Sequence, residues 1–587
     1  MSFQPLPGPW STAGEGVKML RRTGKRVALA AILAAVIAGC TPNQYGRQAD
    51  KAAYKALAGG QAASLGESKP FDVRYEPFRS SDQEPCRGIT VGRKVVPIGE
   101  GQSVVVTLEE CLEIAFRNGR EYQGRKEDTY ALALNLANMR RGWDAPVFSG
   151  DLAGEIGASR QPGPDPDNSA SSSAGPSLEQ RFRQGAVLTL AATLDWSTDF
   201  LPGSGSDNLA NSLLEANLTQ PLLQGAWRGL AYENQYRLER DFLFAVFAYE
   251  RFRQTFAARV YGQYYSVLRQ RDQLENDRMS IERQKTTLAV TKVQVEGGML
   301  TRIDEDRAEQ ALLNAQVSFE QSQQSYRNSL DTFKILIGLP VEAGMEVDYP
   351  ATLHELAKAG PLPIDLAEDA AVRIALAARP DVLTERAKVR DAARNVDMAA
   401  DKFLPQLDVE MGISAPSEPP HNFQEVRFDR HARFAKATFN YQLDQTDNRD
   451  SYCLAVIARQ KSGRDLDEFL DRVVLDVRAA YRELVQSKQS YELQERSVVI
   501  ATRRHRLAQL QQKQGELSPT DVLDAEQDLR QAENGRTSAL VSYNNTRVRF
   551  LADLGLLDVN EKGSVHERTE PIKFDRIGRR YPYVQGD

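Results

Sequence analysis

The sequence predicts an internally duplicated α+β protein in which long coiled-coil helices are joined to short strands of the kind found in membrane β-barrels. The first observation is an internal repeat, because residues 260–339 align with residues 477–556 after a shift of 217 positions, without a gap. The second is a seven-residue apolar period within these stretches. The third is a set of segments in which apolar and polar residues alternate. Two copies of so long a unit indicate a two-fold duplication and not a solenoid of short repeats.

A long helix opens each repeated stretch. The period of the first copy is carried by Val260, Val267, Leu274, Ile281, Leu288 and Val295. That of the second is carried by Val477, Leu484, Tyr491 and Val498, and it is lost at His505 and Gln512. Such a period is typical of a coiled coil, and charged residues such as Arg271 and Asp277 are expected on the solvated face. Because a helix gains most of its stability from packing an apolar face, each copy needs a neighbour along its stripe.

A tight turn follows this helix in both copies, with the pattern Gly-x-Leu-Ser/Thr. The matching positions are Gly298 and Gly515, Leu300 and Leu517, Thr301 and Ser518, and Asp304 and Asp521. Glycine suits the left-handed C-cap of the incoming helix, and Ser or Thr suits the N-cap of the outgoing one. The aspartates stand at the third position of the first turn, as in a capping box. The pattern therefore predicts a well-capped helical hairpin in each copy.

Alternating segments lie between the helices. They fall within residues 148–156, 186–200 and 214–219 of the first copy, and within 405–413 and 433–443 of the second. Alternation over about ten residues fits strands of a membrane β-barrel, with apolar side chains outward and polar ones inward. An ordinary half-buried sheet produces the same alternation, so both interpretations stand on this pattern alone.

The N-terminus resembles a lipoprotein signal. A basic stretch at residues 21–26 precedes an apolar segment of eleven residues, Val27–Ile37, which is too short to span a bilayer and suits a secretory signal. It ends in Ile-Ala-Gly-Cys40, which resembles a bacterial lipobox, so Cys40 is expected to be the lipid-bearing (palmitoylated) first residue of the mature chain. The other interpretation is a plain signal peptide with an accidental cysteine.

Composition argues against two classes of function. The net charge of −6 disfavours nucleic acid as a partner. The five histidines are scattered, and no phosphate-binding glycine loop, Gly-x-Ser-x-Gly motif or metal-ligand cluster occurs, so neither an enzyme nor a cofactor is predicted. No cysteine pair has metal-ligand spacing, and Cys111 and Cys453 are expected to pack within helices. Outside the N-terminus, no apolar stretch is long enough for a transmembrane helix.

The ordered set of helix, strands, long helix, Gly-x-Leu-Ser/Thr turn and helix, duplicated behind a lipobox, resembles the TolC outer membrane efflux protein family. The segment Leu218–Gly225, Leu-Thr-Gln-Pro-Leu-Leu-Gln-Gly, is similar to the family's passage from strand to long helix. The resemblance implies a homotrimer that closes one β-barrel in the outer membrane, continued by a coiled-coil tube across the periplasm. It also implies a passive exit duct of an efflux or type I secretion system, served by a periplasmic adaptor and an inner-membrane pump. The other hypothesis is a non-channel, coiled-coil structural lipoprotein of the cell envelope.

The resemblance also assigns roles to residues. The turns form the periplasmic tip that meets the adaptor, which implicates Gly298, Leu300 and Thr301 with Gly515, Leu517 and Ser518. Asp521 and Asp524 match the family's paired aspartates at the periplasmic entrance. In the first copy, Asp304 and Arg307 stand at these positions, and Arg307 is expected to pair with Asp521 or Asp524 across the neighbouring hairpin. The leucines are expected to be exposed, since a turn needs no apolar side chain there.

The domain organisation follows from these boundaries. We predict a signal peptide (1–39), a lipidated tether (40–106), a first repeat (107–339), a linker (340–364), a second repeat (365–556) and a tail (557–587). The first repeat divides into a helix (107–145), strands (146–223) and a helical hairpin (224–339). The second divides into a helix (365–404), strands (405–443) and a hairpin (444–556). The family contributes two strands per copy, whereas extra strand-like stretches at 177–183 and 186–198 predict an added hairpin, either outside the membrane or within a larger barrel.

Overall fold

The computed structural model describes residues 42–64, 68, 70–74, 88–91, 94–97, 103–159, 167–200, 207–226, 228–360, 366–417, 431–514, 516–560, 563 and 565–567. Within these ranges a long helical body carries a six-stranded antiparallel sheet at one end. Cys40 and the predicted signal peptide lie outside them. None of the helices in these ranges combines the length and the hydrophobicity needed to cross a membrane.

The helices alternate between short connecting elements and two very long pairs. The N-terminal segment and first repeat contain α1 (Pro42–Ser64), α2 (Leu108–Asn118), α3 (Arg120–Asp144), α4 (Arg228–Ala231), α5 (Glu233–Glu296) and α6 (Arg302–Ile337). The linker and second repeat contain α7 (Ala351–Ala359), α8 (Glu368–Ala378), α9 (Pro380–Asp401), α10 (Thr446–Lys513) and α11 (Pro519–Asp553). At about 1.5 Å per residue, α5 and α10 are each about 100 Å long.

The two single helices predicted before the strands are each broken into two. Thr107 begins α2 with a capping box, in which its amide donates to Glu110 Oε2 at 2.9 Å. The chain then turns extended at Gly119, where a Cβ would lie 2.5 Å from the carbonyl oxygen of Ala115. In the second repeat the break falls at Arg379, which precedes a proline and is therefore forced out of the helical conformation.

The strands are β1 (Gly88–Val91), β2 (Lys94–Pro97), β3 (Val104–Val106), β4 (Val147–Ser159), β5 (Asp167–Arg181), β6 (Val187–Phe200), β7 (Asp207–Pro221), β8 (Met345–Val347), β9 (Gln406–Pro416), β10 (Ala432–Asn440), β11 (Leu557–Val559) and β12 (Val565–Glu567). The large sheet has the order β10-β9-β7-β6-β5-β4, with every neighbouring pair antiparallel. The pairing of β7 with β9 joins the two repeats. In a single chain the sheet is open, with β4 and β10 at its edges.

The cross-strand register puts apolar residues on one face of this sheet. One row across five strands runs Phe148, Leu178, Leu190, Ala216 and Ile413. The adjacent row, on the opposite face, runs Ser149, Ser177, Ala191, Glu215 and Ser414. Among the described elements only α3 makes sustained contact with the sheet, through β5, so no helix covers the apolar face. That face carries a groove of 700 Å³ lined in part by Phe148, which is 73% exposed, and Leu152 on the same strand is 80% exposed.

The main core lies in the middle of the helical body. There α2, α5, α6, α8, α10 and α11 enclose large buried side chains such as Phe256, Tyr264, Phe333 and Phe550. The segment predicted as a tether contains α1, which packs against α3 and α5 through a smaller cluster that includes Leu57 and Phe242. Cys111 is buried in the core as expected. Cys453 is exposed, so its predicted packing was wrong, because α10 turns this position away from the rest of the chain.

Short strands tie the connecting segments to this body. In the linker, β8 pairs in parallel with β3 of the N-terminal segment, through Val104 with Met345 and Val106 with Val347. In the predicted tail, β11 pairs antiparallel with β12. The chain before the first repeat and the chain between the repeats are therefore parts of the folded body.

Candidate functional site

The end of the helical body remote from the sheet is formed by the two hairpin turns. At the first turn Gly298 has a φ of +76°, the left-handed conformation expected at a helix C-cap, and its amide donates to the Val295 carbonyl oxygen at 3.0 Å. The amide and hydroxyl of Thr301 donate to the Asp304 carboxylate at 3.1 and 2.7 Å. The hydrogen bond from the Thr301 hydroxyl, and to a lesser extent the one from its amide, hold the pKa of the Asp304 carboxyl below its usual value. The first turn is thus capped on both sides.

The second turn is capped by a different bond. Ser518 is the N-cap of α11, and its hydroxyl accepts a hydrogen bond from the Thr520 amide at 3.2 Å. Pro519 occupies the first helical position. An amide at this position has no partner within the helix, so proline loses no hydrogen bond there. Gly515, the predicted C-cap of α10, lies outside the described residues.

The leucines of the two turns are not the exposed side chains that the sequence suggested. Leu300 is half-buried, and Leu517 packs beneath its turn against a small apolar cluster that includes Val522. They differ from the prediction because a leucine at this position can fold back and fill the gap between the two helix ends. The exposed apolar side chains at the first turn are Met299, at 75%, and Ile303, at 63%.

The charged residues predicted to form a gate are brought only partly together. Arg307 lies 3.9 Å from Asp304, one turn earlier on the same helix, and not beside Asp521 or Asp524. The expected pairing across the hairpins is therefore absent within one chain. Arg307 and Asp524 nevertheless line one cavity of 280 Å³ between the hairpins, whereas Asp521 is exposed outside its lining.

A line of polar contacts joins α5 of the first hairpin to α10 and α11 of the second, and part of it lines this cavity; we call it the hairpin seam. Its most buried member is Asp277, which is 1% exposed. Arg530 Nη1 lies 3.1 Å from Asp277 Oδ1, and the Ser322 hydroxyl donates to Asp277 Oδ2 at 2.5 Å. The expectation that Asp277 lies on a solvated face was wrong, because the second hairpin covers that face of α5.

Glu526 forms a second buried point of the hairpin seam. Its side chain is 3% exposed, and its Oε1 accepts from Arg283 Nε at 2.6 Å. His505 Nε2 lies 3.0 Å from Glu526 Oε2, and a further arm of Arg283 reaches Glu533 at 3.3 Å. Further polar contacts across the seam are Asp272 with Thr537, Asn276 with Asn534, and Gln294 and Thr291 with Gln512.

A signal for the hairpin seam was present in the sequence. The apolar period of the second copy is lost at His505 and Gln512, and both side chains are buried, at 7% and 3% exposure. A polar residue at a position where the pattern demands an apolar one indicates a buried polar contact and not merely the end of the coiled coil. The partners could not be identified in this way, since Gln512 contacts Gln294 and Thr291 on the first hairpin and His505 contacts Glu526 on the next helix.

No group of three or more His, Cys, Asp or Glu side chains in the described ranges is arranged to hold a metal ion. The chemistry of the tip is therefore that of capped helix ends, an acidic and basic cavity, and a seam of hydrogen-bonded ion pairs.

Comparison with known proteins gives a consistent result. Residues 371–555, which span the second repeat, match the family described as outer membrane efflux protein. The alkaline protease secretion protein AprF of Pseudomonas aeruginosa is 27% identical over 400 residues, which cover 65% of this chain and 77% of that protein. The resemblance predicted from the sequence is thus confirmed.

Solved structures show the same fold. The Campylobacter jejuni CmeC outer membrane channel matches with a TM-score of 0.57 and 14% identity, over 89% of this chain and 98% of that one. The open state of the Neisseria gonorrhoeae MtrE outer membrane channel matches with a TM-score of 0.55 and 14% identity, over 83% and 98%. The outer-membrane channel OprN matches with a TM-score of 0.56 and 14% identity, over 82% and 99%.

Proposed function

We propose that this chain belongs to the outer membrane efflux protein family and is the outer membrane exit duct of a tripartite efflux or type I secretion system. It conducts substrate passively from the periplasm to the outside. The observation that carries the proposal is the six-stranded sheet at one end of two long helical hairpins, with an apolar face that no helix among the described residues covers. Lipid is the natural cover for such a face, and a pair of helices about 100 Å long suits a tube across the periplasm.

A closed barrel requires several copies. The edges of the sheet, β4 and β10, carry unpaired backbone groups, and open edges are not tolerated in lipid. The long helix α10 also exposes a series of apolar side chains, among them Leu454, Leu475, Leu493 and Leu507. Both features demand a partner with the same elements, which supports a homotrimer that closes one barrel and one helical tube.

The hairpin turns suit the contact with a periplasmic adaptor, through which an inner-membrane pump supplies the energy. Gly298, Thr301 and Ser518 hold the turns rigid, and Met299 and Ile303 offer exposed apolar side chains beside them. In this proposal Leu300 and Leu517 support the turns from beneath and do not themselves dock. An Asp substitution at either leucine is expected to disturb the turn as well as the adaptor contact.

Asp521 and Asp524 are proposed to line the entrance. They stand three residues apart and share one helix face, so three copies bring six carboxylates toward one axis. Rings of acidic side chains favour cations in pores, and Arg307 in the shared cavity beside Asp524 offsets part of that charge. The hairpin seam, whose Asp277 and Arg530 also line this cavity, would hold the entrance closed at rest.

Lipid attachment at Cys40 completes the proposal. A lipid at this residue would add a second anchor to a protein that its barrel already holds in the membrane. The structure outside the membrane would then extend into the periplasm, with the hairpin turns at its far end.

The proposal is tested by extracting the protein from the outer membrane of a producing cell. We expect detergent-requiring trimers that fall apart only on heating, and discrete conductance steps when they are inserted in planar bilayers. A protein that is released in soluble form once its lipid anchor is removed, and that gives no conductance, would instead be a structural lipoprotein. That hypothesis accounts for the helices but leaves the uncovered apolar sheet face without a purpose.

A further inference from the structure

The first repeat contributes four strands to the large sheet and the second contributes two. Strand β4 follows the short helices of the first repeat and β7 precedes its long helix, as β9 and β10 do in the second repeat. The additional elements are therefore the hairpin β5–β6, Asp167–Phe200, which lies between β4 and β7 in the sheet. We propose that this inserted hairpin is part of the membrane wall and that three copies close an 18-stranded barrel; the proposal rests on the exit duct described above.

The inserted hairpin spans the full height of the sheet. Its strands have 15 and 14 residues, whereas about 9–11 residues cross a bilayer when tilted. β5 pairs with β4 from Ser159↔Asp167 down to Val147↔Glu179, and β6 pairs with β7 from Asp199↔Asp207 down to Val187↔Thr219. A hairpin confined to the outer surface would pair with its neighbours only at one end of the strands.

The turn of the inserted hairpin is seated on the helical body. Gln180 Nε2 donates to the Trp143 carbonyl oxygen at 3.0 Å, and the Arg183 guanidinium lies 5.1 Å from the centre of the Tyr232 ring. Gly185 has a φ of +91°, and a Cβ there would come within 3.1 Å of the Gly225 carbonyl oxygen. The turn therefore sits where the sheet meets the helices, which is the inner boundary of the membrane in the proposed duct.

The side chains of the inserted hairpin continue both faces of the sheet. On β6, Leu188, Leu190, Leu194 and Trp196 share the face of Phe148 and Ile413. Thr189, Thr193 and Asp195 share the opposite face with Glu215 and Asn217. An insertion outside the membrane has no reason to keep the apolar residues of its neighbours in register, whereas a strand of the wall must.

The directions of the edge strands allow three copies of the six-stranded sheet to close into one barrel. Because each copy contributes an even number of antiparallel strands, β4 of one copy and β10 of the next run in opposite directions and can pair. Three copies of six strands give 18 strands, and three copies without the inserted hairpin give 12. With strands about 4.8 Å apart and tilted by about 40°, the barrel radius measured at the backbone is about 18 Å for 18 strands and about 12 Å for 12.

The consequence is a wider exit. After about 5 Å is allowed for lining side chains, the free radius of the barrel is about 13 Å in place of about 7 Å, and barrels of 16–18 strands hold aqueous channels. The outer end of the duct would therefore pass solutes that a 12-stranded barrel excludes, while the helical tip still decides what enters.

The first test is disulfide pairing in unextracted outer membranes. Cys86, Cys111 and Cys453 are replaced by alanine, and cysteine pairs are placed at Ser149 with Ser177 and at Ala191 with Glu215. Ser149 Oγ lies 2.7 Å from Ser177 Oγ, and Ala191 faces Glu215 in the register. We expect both pairs to form disulfides within one chain of assembled trimers. Trimers in which neither pair forms would overturn the placement of the hairpin in the wall.

The second test measures the width from outside the cell. Thr219→Cys, on the polar face of β7, is probed with maleimide-linked polymers of increasing size, in the intact chain and in a variant that lacks residues 167–200. The deletion lets β4 pair with β7 and leaves the direction of every later element unchanged. We expect a polymer of about 10 Å radius to label the intact trimer and not the deletion variant. Equal size limits in the two trimers overturn the wide barrel.

The outcomes separate the two proposals. Absence of trimers from the outer membrane contradicts the exit duct itself, whereas assembled trimers with a narrow size limit contradict only the 18-stranded barrel. If the deletion variant does not assemble, the disulfide pairs and the size limit of the intact trimer still test the 18-stranded barrel. A largest labelling polymer of about 7 Å radius would exclude 18 strands.

Discussion

Removal of the Arg530 charge is expected to open the entrance, because it strands a carboxylate in the hairpin seam. Asp277 is 1% exposed, and Arg530 is its only ion-pair partner among the described residues. Taking one partner from a buried pair costs about 3–5 kcal/mol. The Arg530 side chain is 30% exposed, and the Ser322 hydroxyl still donates to Asp277, so we expect about 2–3 kcal/mol for Arg530→Gln. At 1.4 kcal/mol per factor of ten, this shifts the equilibrium between closed and open tips by about 30- to 150-fold.

Substitution of Asp277 is expected to have a smaller effect on opening than substitution of Arg530. Asp277→Asn leaves a guanidinium that can reach water, so it should cost less than Arg530→Gln. The double variant removes the stranded charge and should recover part of the loss. Arg278→Gln is the matched control, because Arg278 is 68% exposed on the same helix and its one ion pair among the described residues is with Glu275, at 3.8 Å. A surface pair of this kind contributes about 0–1 kcal/mol, so this control should change opening little.

The assay is the open probability of single trimers in planar bilayers, with trimer assembly checked by heating. We expect a high open probability for Arg530→Gln trimers and a smaller increase for Asp277→Asn trimers. Arg278→Gln trimers should open about as often as the wild type. Assembled Arg530→Gln trimers that open no more often than the control would refute a closing role for the Asp277–Arg530 pair. A double variant that opens more than Arg530→Gln would also refute it, since the stranded charge would then not be the cause.

Three further predictions concern the anchor, the tip and the entrance. Cys40→Ser should abolish acylation while the protein stays in the outer membrane, and mass spectrometry of an unmodified wild-type N-terminus would contradict the lipid anchor. Met299→Asp with Ile303→Asp should abolish transport while trimers form normally, because in the proposed duct these exposed apolar side chains meet the adaptor; unchanged transport would exclude that role. Asp521→Ala with Asp524→Ala should raise conductance and weaken block by multivalent cations added at the periplasmic side, and wild-type block would leave Asp521 as an exposed residue of the first helical turn.

Local physics explains which elements were predictable from the sequence. The heptads, the turn glycine and the Thr301 capping box each depend on residues within one or two helical turns, and all of them are present. The break at Arg379 is equally local, since Pro380 dictates it, and the prediction of one continuous helix over 365–404 was wrong at this point.

What could not be predicted depends on residues far apart in the chain. The ion pair of Asp277 with Arg530 joins positions 253 residues apart, and no periodicity within one helix identifies its partner. The place of β5 in the sheet was equally hidden. Its alternating positions are mostly small, as at Ser173 and Ala174, and only pairing with β4 and β6 shows which face each one takes.

The second hairpin combines apolar packing between its own helices with polar contacts to the first hairpin, and this combination has a mechanical consequence. Small apolar clusters hold α10 to α11 as far as Leu517, so the second hairpin is a stiff lever. The main core clamps this lever near Leu484, about 30 residues or about 45 Å from the end of α10 at Lys513. A rotation of about 10° at the clamp then displaces the far end by about 8 Å over this length. Water can replace the polar contacts between the hairpins as they separate, so the second hairpin moves away from the first without exposing an apolar surface.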